Sequence, residues 1–163
     1  MQTDGSLITD EFVRFLISQD NILLKIEFVN DVAYQYGQPI KNNIYTVDTI
    51  RNILSNKLTC IVGRDEPKDF FDIISIAFNY KFNWVDIINE TKQKALINEI
   101  DISKRISEFP TEWLLQVDWL NQSPIIQTIK EQQDIIANDI LLGKDNSICT
   151  NGRKLDDAII NFK

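Results

Sequence analysis

The sequence contains no histidine and only two cysteines, Cys60 and Cys149, among its 163 residues. The absence of histidine excludes Ser-His-Asp and Cys-His nucleophilic schemes and zinc sites with histidine ligands. Two cysteines so far apart in the chain are too few for a disulfide framework or a zinc site, and we expect both to be reduced. Any catalysis must therefore rest on carboxylates, lysines, tyrosines or hydroxyls.

Long hydrophobic runs are also absent. The longest ones, such as ILL at 22–24 and FFDII at 70–74, fall far short of the roughly 18–20 apolar residues that a membrane helix needs. The N-terminal stretch MQTDGSLITDEF has neither the basic start nor the apolar segment of a signal peptide. We therefore expect a cytoplasmic protein that does not enter a membrane.

Positive charge is in short supply, with 17 lysines and arginines against 24 aspartates and glutamates, a net charge of −7. Binding to nucleic acid without sequence specificity normally needs a basic surface, so we do not expect general nucleic-acid binding. A local basic pocket can still hold a nucleotide. The length and the apolar fraction of 44% are those of an ordinary globular domain with a real core.

Two apolar runs near the N-terminus predict an antiparallel β-hairpin. FVRFLIS (12–18) and ILLKIEFV (22–29) are separated by QDN, a short polar loop typical of hairpins. The second run places Lys25 and Glu27 on one strand face and three apolar side chains on the other, which predicts one buried face. A helix over 10–18 is the alternative, because its phenylalanines also fit a helical stripe.

Downstream of the hairpin, apolar residues recur at spacings of three and four and predict helices. The first helix is expected to run from an N-cap at Thr46 or Asp48 to Gly63, and the second to begin at Pro67 with Glu66 as its cap. Further helices are expected at about 83–98, 101–108 and 124–142. This order of elements predicts an α+β fold, an N-terminal antiparallel hairpin or small sheet followed by a bundle of five to six helices.

Composition divides the chain into three parts. We expect a β-hairpin region over residues 1–46, a helical domain over 47–143 and a polar, mobile tail over 144–163. A lone small sheet is weak unless something covers it. The apolar face of the hairpin is therefore expected to pack on the helices or on a sheet outside this chain.

The stretch GRDEPKDFFDI (63–73) crowds an arginine, a lysine and four acids around one proline. Much of it fits a helix start, because Glu66 can cap, the proline suits the first turn and Asp69 favours the N-terminal end of the helix dipole. Lys68 and Asp72 are four residues apart and can pair along the helix surface. A charged helix start of this kind is common on proteins and needs no ligand.

Asp72 fits that explanation poorly, because it lies between two apolar residues in a segment that reads as buried. A carboxylate in such a place costs free energy unless it is paired. A short turn at 63–66 would fold the two helices back together and bring basic and acidic side chains into one cluster. The expected members are Lys57, Arg64, Lys68, Asp69 and Asp72. Basic groups and the free amides of a helix start can hold a phosphate.

The run IRNILSNKLTCIVGRDEPKDFFDI (50–73) resembles the paired motifs of the AbiEii/AbiGii-type nucleotidyltransferases. In that family a helix with a Leu/Ile-rich face and a lysine is followed by an arginine, a short gap, Lys-Asp, two apolar residues and Asp. The upstream ILLKIEFV (22–29) resembles the family strand that precedes these helices, and the likeness spans roughly residues 12–120. The positions that match the paired motifs are Lys57, Leu58, Arg64, Lys68, Asp69 and Asp72.

The resemblance implies a nucleotidyltransferase fold of the polymerase-beta type, in which residues 1–46 would be a remnant of the palm. It also implies a toxin of a toxin–antitoxin or phage-defence system, with an antitoxin as partner and a nucleoside triphosphate with Mg²⁺ as ligands. The implied nucleotide-binding residues are Lys57, Arg64 and Lys68. The implied catalytic residues are Asp69, Asp72 and, on a strand, Glu27. For Glu27 an exposed strand residue without a catalytic role is the alternative.

The metal-binding motif of the family, a Gly-Gly or Gly-Ser turn followed by Asp-x-Asp, has no counterpart here. No Asp-x-Asp occurs in the 163 residues, and Asp20, which follows Gly5-Ser6 at a distance, reads as a hairpin-turn residue. Two carboxylates are needed because the Mg²⁺ ions held between them clamp the transferred phosphoryl group. We therefore expect the second half of such a protein, inactive alone: a fragment, a decayed reading frame, or a half that works with another polypeptide.

A second hypothesis comes from another class of protein. The chain could be a non-catalytic helical module that binds a protein partner. Separately, the segment TEWLLQVDWL (111–120) could be an exposed docking surface if the missing half of the protein, or an antitoxin, covers it. Packing in the core or on the surface is the expected role of the tryptophans Trp84, Trp113 and Trp119, rather than cofactor binding.

Overall fold

The computed structural model confirms the α+β fold expected from the sequence, because an antiparallel sheet comes first in the chain and helices follow. Contacts between Cα atoms divide the chain into two compact units, residues 1–33 and 34–163. The structure describes residues 2–20, 22–30, 34–42, 45–119, 124–150 and 152–155.

The first unit is an antiparallel sheet in the order β1 (Gln2–Ile8), β2 (Phe12–Gln19) and β3 (Ile22–Val29). β2 and β3 form the predicted hairpin, with Arg14 opposite Glu27, so the alternative helix over 10–18 is wrong. β1 was not predicted, because QTDGSLI is polar and contains a glycine, and its register with β2 shifts beside that glycine.

The turn and the apolar face of this hairpin differ in how well the sequence predicts them. Asp20 has φ of 51°, a left-handed conformation that aspartate tolerates better than most residues, which suits the turn role expected for it. The apolar face of β3 is not buried as the sequence predicts, since Leu24 and Phe28 are both more than half exposed. Alternation therefore identifies the strand but does not say what covers it.

The second unit contains the helices that the structure describes. Within the described residues these are α1 (Ile50–Gly63), α2 (Pro67–Asn79), α3 (Trp84–Lys94), α4 (Glu99–Glu108), a 3₁₀ helix (Thr111–Gln116) and α5 (Ile126–Leu141). They agree with the expected five to six helices, and no helix in this part of the chain is long and apolar enough to cross a membrane. Short strands accompany them: β4 (Ile40–Asn42) with β5 (Tyr45–Val47), and β6 (Tyr80–Lys81) with β7 (Arg153–Lys154).

One apolar core joins the helices of the second unit. Trp84 is completely buried in it, and Trp119 packs edge-on against Phe71 with ring centroids 4.6 Å apart. Both tryptophans therefore have the packing role expected of them. Cys60 and Cys149 are free thiols. Each of the five α-helices contributes to this core, among others with Leu54 and Leu58, Phe70 and Ile73, Ile87, Ile102 and Ile106, and Ile136.

The caps of the first two helices differ from the predicted ones in detail. α1 begins after Thr49, whose side chain accepts a hydrogen bond from the backbone N–H of Asn52, so the predicted caps at Thr46 and Asp48 are wrong. Asp48 instead accepts a hydrogen bond from the side-chain amide of Asn52. α2 begins at its proline with Glu66 at the N-cap position as expected, although the Glu66 side chain makes no capping hydrogen bond within the described residues.

Residues 144–150 and 152–155, which the sequence assigns to a polar tail, pack on the helices in the structure. The side-chain amide of Asn146 is buried and donates to the carbonyls of Ala77 and Tyr80 at 2.6 and 2.7 Å. These hydrogen bonds fasten the segment after α5 to the end of α2. The rest of the expected tail, residues 156–163, lies outside the described residues.

Candidate functional site

The candidate site lies where α1 ends and α2 begins. Only three residues, 64–66, connect the two helices, so the last turns of α1 lie beside the first turn of α2. Arg64 is extended, with φ −152° and ψ 158°, and its backbone N–H donates to the carbonyl of Cys60. The short connector therefore does what the sequence predicts and brings the two charged helix ends together.

Asp69 is the centre of an ion-pair cluster. Its Oδ1 accepts a hydrogen bond from Lys57 Nζ at 2.7 Å, and its Oδ2 accepts one from Arg64 Nε at 2.7 Å. Lys57 Nζ also lies 2.6 Å from Oδ2 of Asp72. Four of the five residues predicted to converge thus form one connected group of two cations and two carboxylates, called the Asp69 cluster below.

Burial differs sharply within the Asp69 cluster. The Asp69 side chain is 2% exposed, whereas those of Asp72 and Arg64 are 42% and 59% exposed. A buried carboxylate is costly unless both of its oxygens are paired, and here each oxygen accepts from a cation. The cluster is therefore a buried anion that holds two cationic side chains, one of which reaches well into solvent.

The pKa values of the cluster follow from this geometry. Burial alone would raise the pKa of Asp69, but the hydrogen bonds from Arg64 and Lys57 outweigh burial and hold that pKa below its ordinary value. Burial would lower the pKa of Lys57, but the hydrogen bonds to Asp69 and Asp72 raise it above its ordinary value. The hydrogen bond to Asp69 also raises the pKa of Arg64. Asp69, Lys57 and Arg64 are therefore all charged near neutral pH.

Lys68 lies outside the Asp69 cluster. It is exposed and forms no salt bridge with any residue that the structure describes, while Asp72 pairs with Lys57 rather than with Lys68. Successive helix positions are rotated by about 100°, so the side chain next to Asp69 points in a different direction. Lys68 instead lines an open cavity together with Trp113 of the 3₁₀ helix.

Glu27 belongs to the first unit, where it forms a second ion-pair cluster on the sheet. It accepts a hydrogen bond from Arg14 Nε at 2.7 Å, and Lys25 Nζ lies 3.5 Å from the same carboxylate. The hydrogen bond from Arg14 lowers the pKa of Glu27. The structure thus places Glu27 with cations of its own sheet, and we call this group the Glu27 cluster.

The Asp69 cluster does not fit a magnesium site in the form it takes here. Mg²⁺ binds carboxylate oxygens that are open to it. Both oxygens of Asp69 and one oxygen of Asp72 already accept from cations. In the part of the chain that the structure describes, no group of three or more His, Cys, Asp or Glu side chains is arranged to hold a metal ion. The cluster has no net charge, since two cations meet two carboxylates, and the cationic group that it presents to solvent is the exposed Arg64 guanidinium.

Arg105 on α4 is a site residue that the sequence did not indicate. Its Nε donates to the carbonyl of Ile61 at 2.7 Å, and its Nη2 pairs with Asp65 at 2.5 Å. Arg105 therefore braces the connector between α1 and α2 from outside the motif. No spacing rule could have found it, because its partners lie 44 and 40 residues away in the chain.

Comparison with known proteins does not assign the chain to a family. No protein-family model, no curated protein and no solved structure matches it. The resemblance of residues 50–73 to the AbiEii/AbiGii type therefore stays a prediction.

Proposed function

We propose that this chain is the nucleotide-binding, largely helical part of a nucleotidyltransferase-like protein of the AbiEii type, a toxin of a toxin–antitoxin or phage-defence system. The proposed ligand is a nucleoside triphosphate, and Mg²⁺ enters with the triphosphate. The proposed partner is an antitoxin or a metal-binding half carried on another polypeptide segment. Arg64, Lys68 and Lys57 form the basic side of the nucleotide site.

One observation carries this proposal. Lys57, Arg64, Asp69 and Asp72, which the motif of residues 50–73 singles out, meet in one cluster. Buried ion pairs are a weak source of stability, because desolvation of the charges offsets their attraction. A role in positioning explains better why a buried carboxylate holds two cations at a surface. Asp69 would keep the lysine and the arginine in one orientation before a ligand arrives.

Arg64 is the group best placed to meet a phosphate. Asp69 holds its Nε, while the side chain is 59% exposed. A guanidinium carries five N–H donors in a planar fork, so the exposed remainder can donate to phosphate oxygens. Lys68, one position before Asp69, adds a second exposed cation at the same helix start. A fixed arginine loses less conformational entropy when it binds than a freely rotating one.

Calorimetric titration of the 163-residue chain with the four nucleoside triphosphates and Mg²⁺ tests the proposal. We expect saturable binding, and a rise in melting temperature at saturating nucleotide. Arg64→Ala should weaken binding about ten-fold, and Lys68→Ala several-fold. Lys104→Ala is the matched control, because Lys104 is an exposed lysine on α4 and its removal changes the net charge equally. Absence of binding, or equal weakening by the control, would contradict the proposal.

Nucleotidyl transfer is a separate expectation. The 163 residues contain no Asp-x-Asp, so we expect the chain alone not to transfer nucleotides. Incubation of the purified chain with labelled nucleoside triphosphates, Mg²⁺ and a pool of tRNA measures this. Robust transfer of label would show that carboxylates other than an Asp-x-Asp pair support the reaction.

A non-catalytic interaction module is the second candidate, and one surface favours it. α2 and α5 form an apolar groove of about 280 Å³, lined among others by Phe71, Ile74, Phe78 and Ile125. Phe78 and Ile125 are more than half exposed. Exposed apolar grooves often mark protein–protein contacts. A chain that binds no nucleoside triphosphate but forms a stable complex through this groove would favour the second candidate.

A further inference from the structure

An open cavity lies between the start of α2 and the 3₁₀ helix. Its volume is about 370 Å³, within the range of roughly 300–1,000 Å³ that is usual for small-molecule sites. Lys68 lines this cavity and belongs to the same helix start as Asp69. Residues that line the cavity are therefore neighbours in sequence of the proposed phosphate-binding residues. No member of the Asp69 cluster lines the cavity.

Trp113 gives the cavity a rigid aromatic surface. Its ring packs edge-on against Phe109, with centroids 6.0 Å apart and planes at 84°. Phe109 in turn stacks on the core residue Phe70 at 3.8 Å and 14°. Trp113 is thus anchored to the core but remains 40% exposed. A fixed aromatic ring with an open side suits base stacking, because every nucleobase has a π-face.

The other two tryptophans are buried or packed against neighbouring side chains. Trp84 is completely buried. Trp119 donates its Nε1–H to the carbonyl of Leu114 at 2.9 Å and packs against Phe71. Trp113 is the tryptophan that combines exposure with a place in a cavity.

The polar lining of the cavity indicates which part of a nucleotide it suits. The polar side chains that line it are two carboxylates, Glu66 and Asp118, one amide, Gln116, and one lysine, Lys68. Neither carboxylate forms a salt bridge with any residue in the described ranges. Carboxylates repel a bare phosphate but accept hydrogen bonds from N–H groups. Adenine, guanine and cytosine each carry an exocyclic amino group that can donate to them, whereas uracil has no amino group and offers only its ring N3–H, which lies between two carbonyl oxygens.

We propose that this cavity receives the base of the nucleoside triphosphate, stacked on Trp113, with its amino group donating to Asp118 or Glu66. The inference rests on the nucleotide binding proposed above. In this arrangement the triphosphate extends from Lys68 toward Arg64. The site therefore favours nucleotides with an amino-bearing base over UTP.

Titrations that separate the base from the phosphates test this inference. ATP, GTP, CTP, UTP and inorganic tripolyphosphate, each with Mg²⁺, are titrated into the full chain and its variants. We expect Trp113→Ala to weaken ATP binding about ten-fold or more and to leave tripolyphosphate binding unchanged. Trp113→Phe should retain most of the ATP affinity, because a phenyl ring also stacks. Leu115→Ala, an exposed apolar change on the same 3₁₀ helix, is the matched control.

The outcomes separate this inference from the proposed function. If ATP and tripolyphosphate bind the wild type and Trp113→Ala binds ATP equally well, the base site is wrong and the phosphate site stands. If UTP binds as tightly as the other three nucleotides, the role of the carboxylates is wrong. If the wild type binds neither ATP nor tripolyphosphate, both proposals fall. Circular dichroism of each variant shows that a lost affinity is not a lost fold, and an unfolded Trp113→Ala leaves Trp113→Phe and Trp113→Leu to decide.

Discussion

The Glu27 cluster and the Asp69 cluster are each centred on one carboxylate that pairs with one arginine and one lysine, but the two carboxylates differ greatly in burial. On the sheet, Glu27 has Arg14 and Lys25 as partners. Between α1 and α2, Asp69 has Lys57 and Arg64. The Glu27 side chain is 31% exposed, whereas that of Asp69 is 2% exposed. Each carboxylate pairs with two cations, but of the two only Asp69 is shielded from water.

Because of this difference we expect burial, rather than the number of salt bridges, to decide how much each cluster contributes to stability. An exposed pair contributes little, because water solvates each charge and salt screens their attraction. A buried carboxylate depends on its partners, because without them it would remain desolvated and unpaired. The Asp69 cluster should therefore affect stability and ligand binding, and the Glu27 cluster should affect neither.

Asp69→Asn should have the largest effect on stability. We expect it to lower the free energy of unfolding of the helical unit by about 3 kcal/mol, the lower end for breaking a buried pair, since both cations keep some contact with water. Chemical denaturation followed by tryptophan fluorescence measures this. Asp72→Asn is the control and should cost less, because Asp72 is 42% exposed. Equal losses for the two variants would contradict the account.

Protonation of Asp69 should also lower the stability of the helical unit at acid pH. Its pKa is lowered in the folded state, so its contribution is fully present above its unfolded pKa of about 3.9. That contribution is lost as the pH falls from there through the folded pKa. The difference in unfolding free energy between the wild type and Asp69→Asn should therefore be smaller at pH 3 than at pH 7. A constant gap between the two proteins would show that Asp69 is not responsible.

Arg105→Met should have a smaller effect on the same site. It removes the hydrogen bonds to Ile61 and Asp65 that brace the connector, a loss of about 1–2 kcal/mol. Thermal unfolding measures the loss, and nucleotide titration should show weaker binding as Arg64 becomes less fixed. The matched control is Lys104→Met on the same helix. Unchanged stability and unchanged nucleotide affinity would mean that the brace is unimportant.

Glu27→Gln should have the smallest effect. The Glu27 cluster is exposed, so the melting temperature of the protein should change far less than it does for Asp69→Asn. Arg14→Gln should raise the pKa of Glu27 toward its ordinary value, since the hydrogen bond from Arg14 is what lowers it. Carboxyl NMR titration measures that shift. A drop in melting temperature equal to that of Asp69→Asn would overturn the comparison.

Local patterns predicted much of this molecule, and long-range contacts account for most of what they missed. The hairpin of β2 and β3 follows from alternation, and the start of α2 follows from Pro67. The Asp69 cluster was predicted because its members lie within 15 residues of one another on either side of a short turn. Lys68 was wrongly expected to join it, because chain proximity does not fix the direction of a side chain.

Other misses have equally physical reasons. β1 is polar and carries a glycine, so its place in the sheet depends on pairing with β2 rather than on its own propensity. Arg105 reaches the site only through the packing of α4. The exposure of Leu24 and Phe28 could not be predicted, because alternation shows that one face of β3 is apolar and not whether anything covers it.

The comparison of the two clusters also gives the most direct test of the central claim, that the Asp69 cluster holds a basic group ready for a triphosphate. The measurement is calorimetric titration of ATP with Mg²⁺ into the wild type, Arg64→Ala and Arg14→Ala, which remove one arginine from each cluster and change the net charge equally. We predict that Arg64→Ala weakens binding about ten-fold and that Arg14→Ala binds as the wild type does. Equal affinities for the two variants, or no binding by the wild type, would contradict the account.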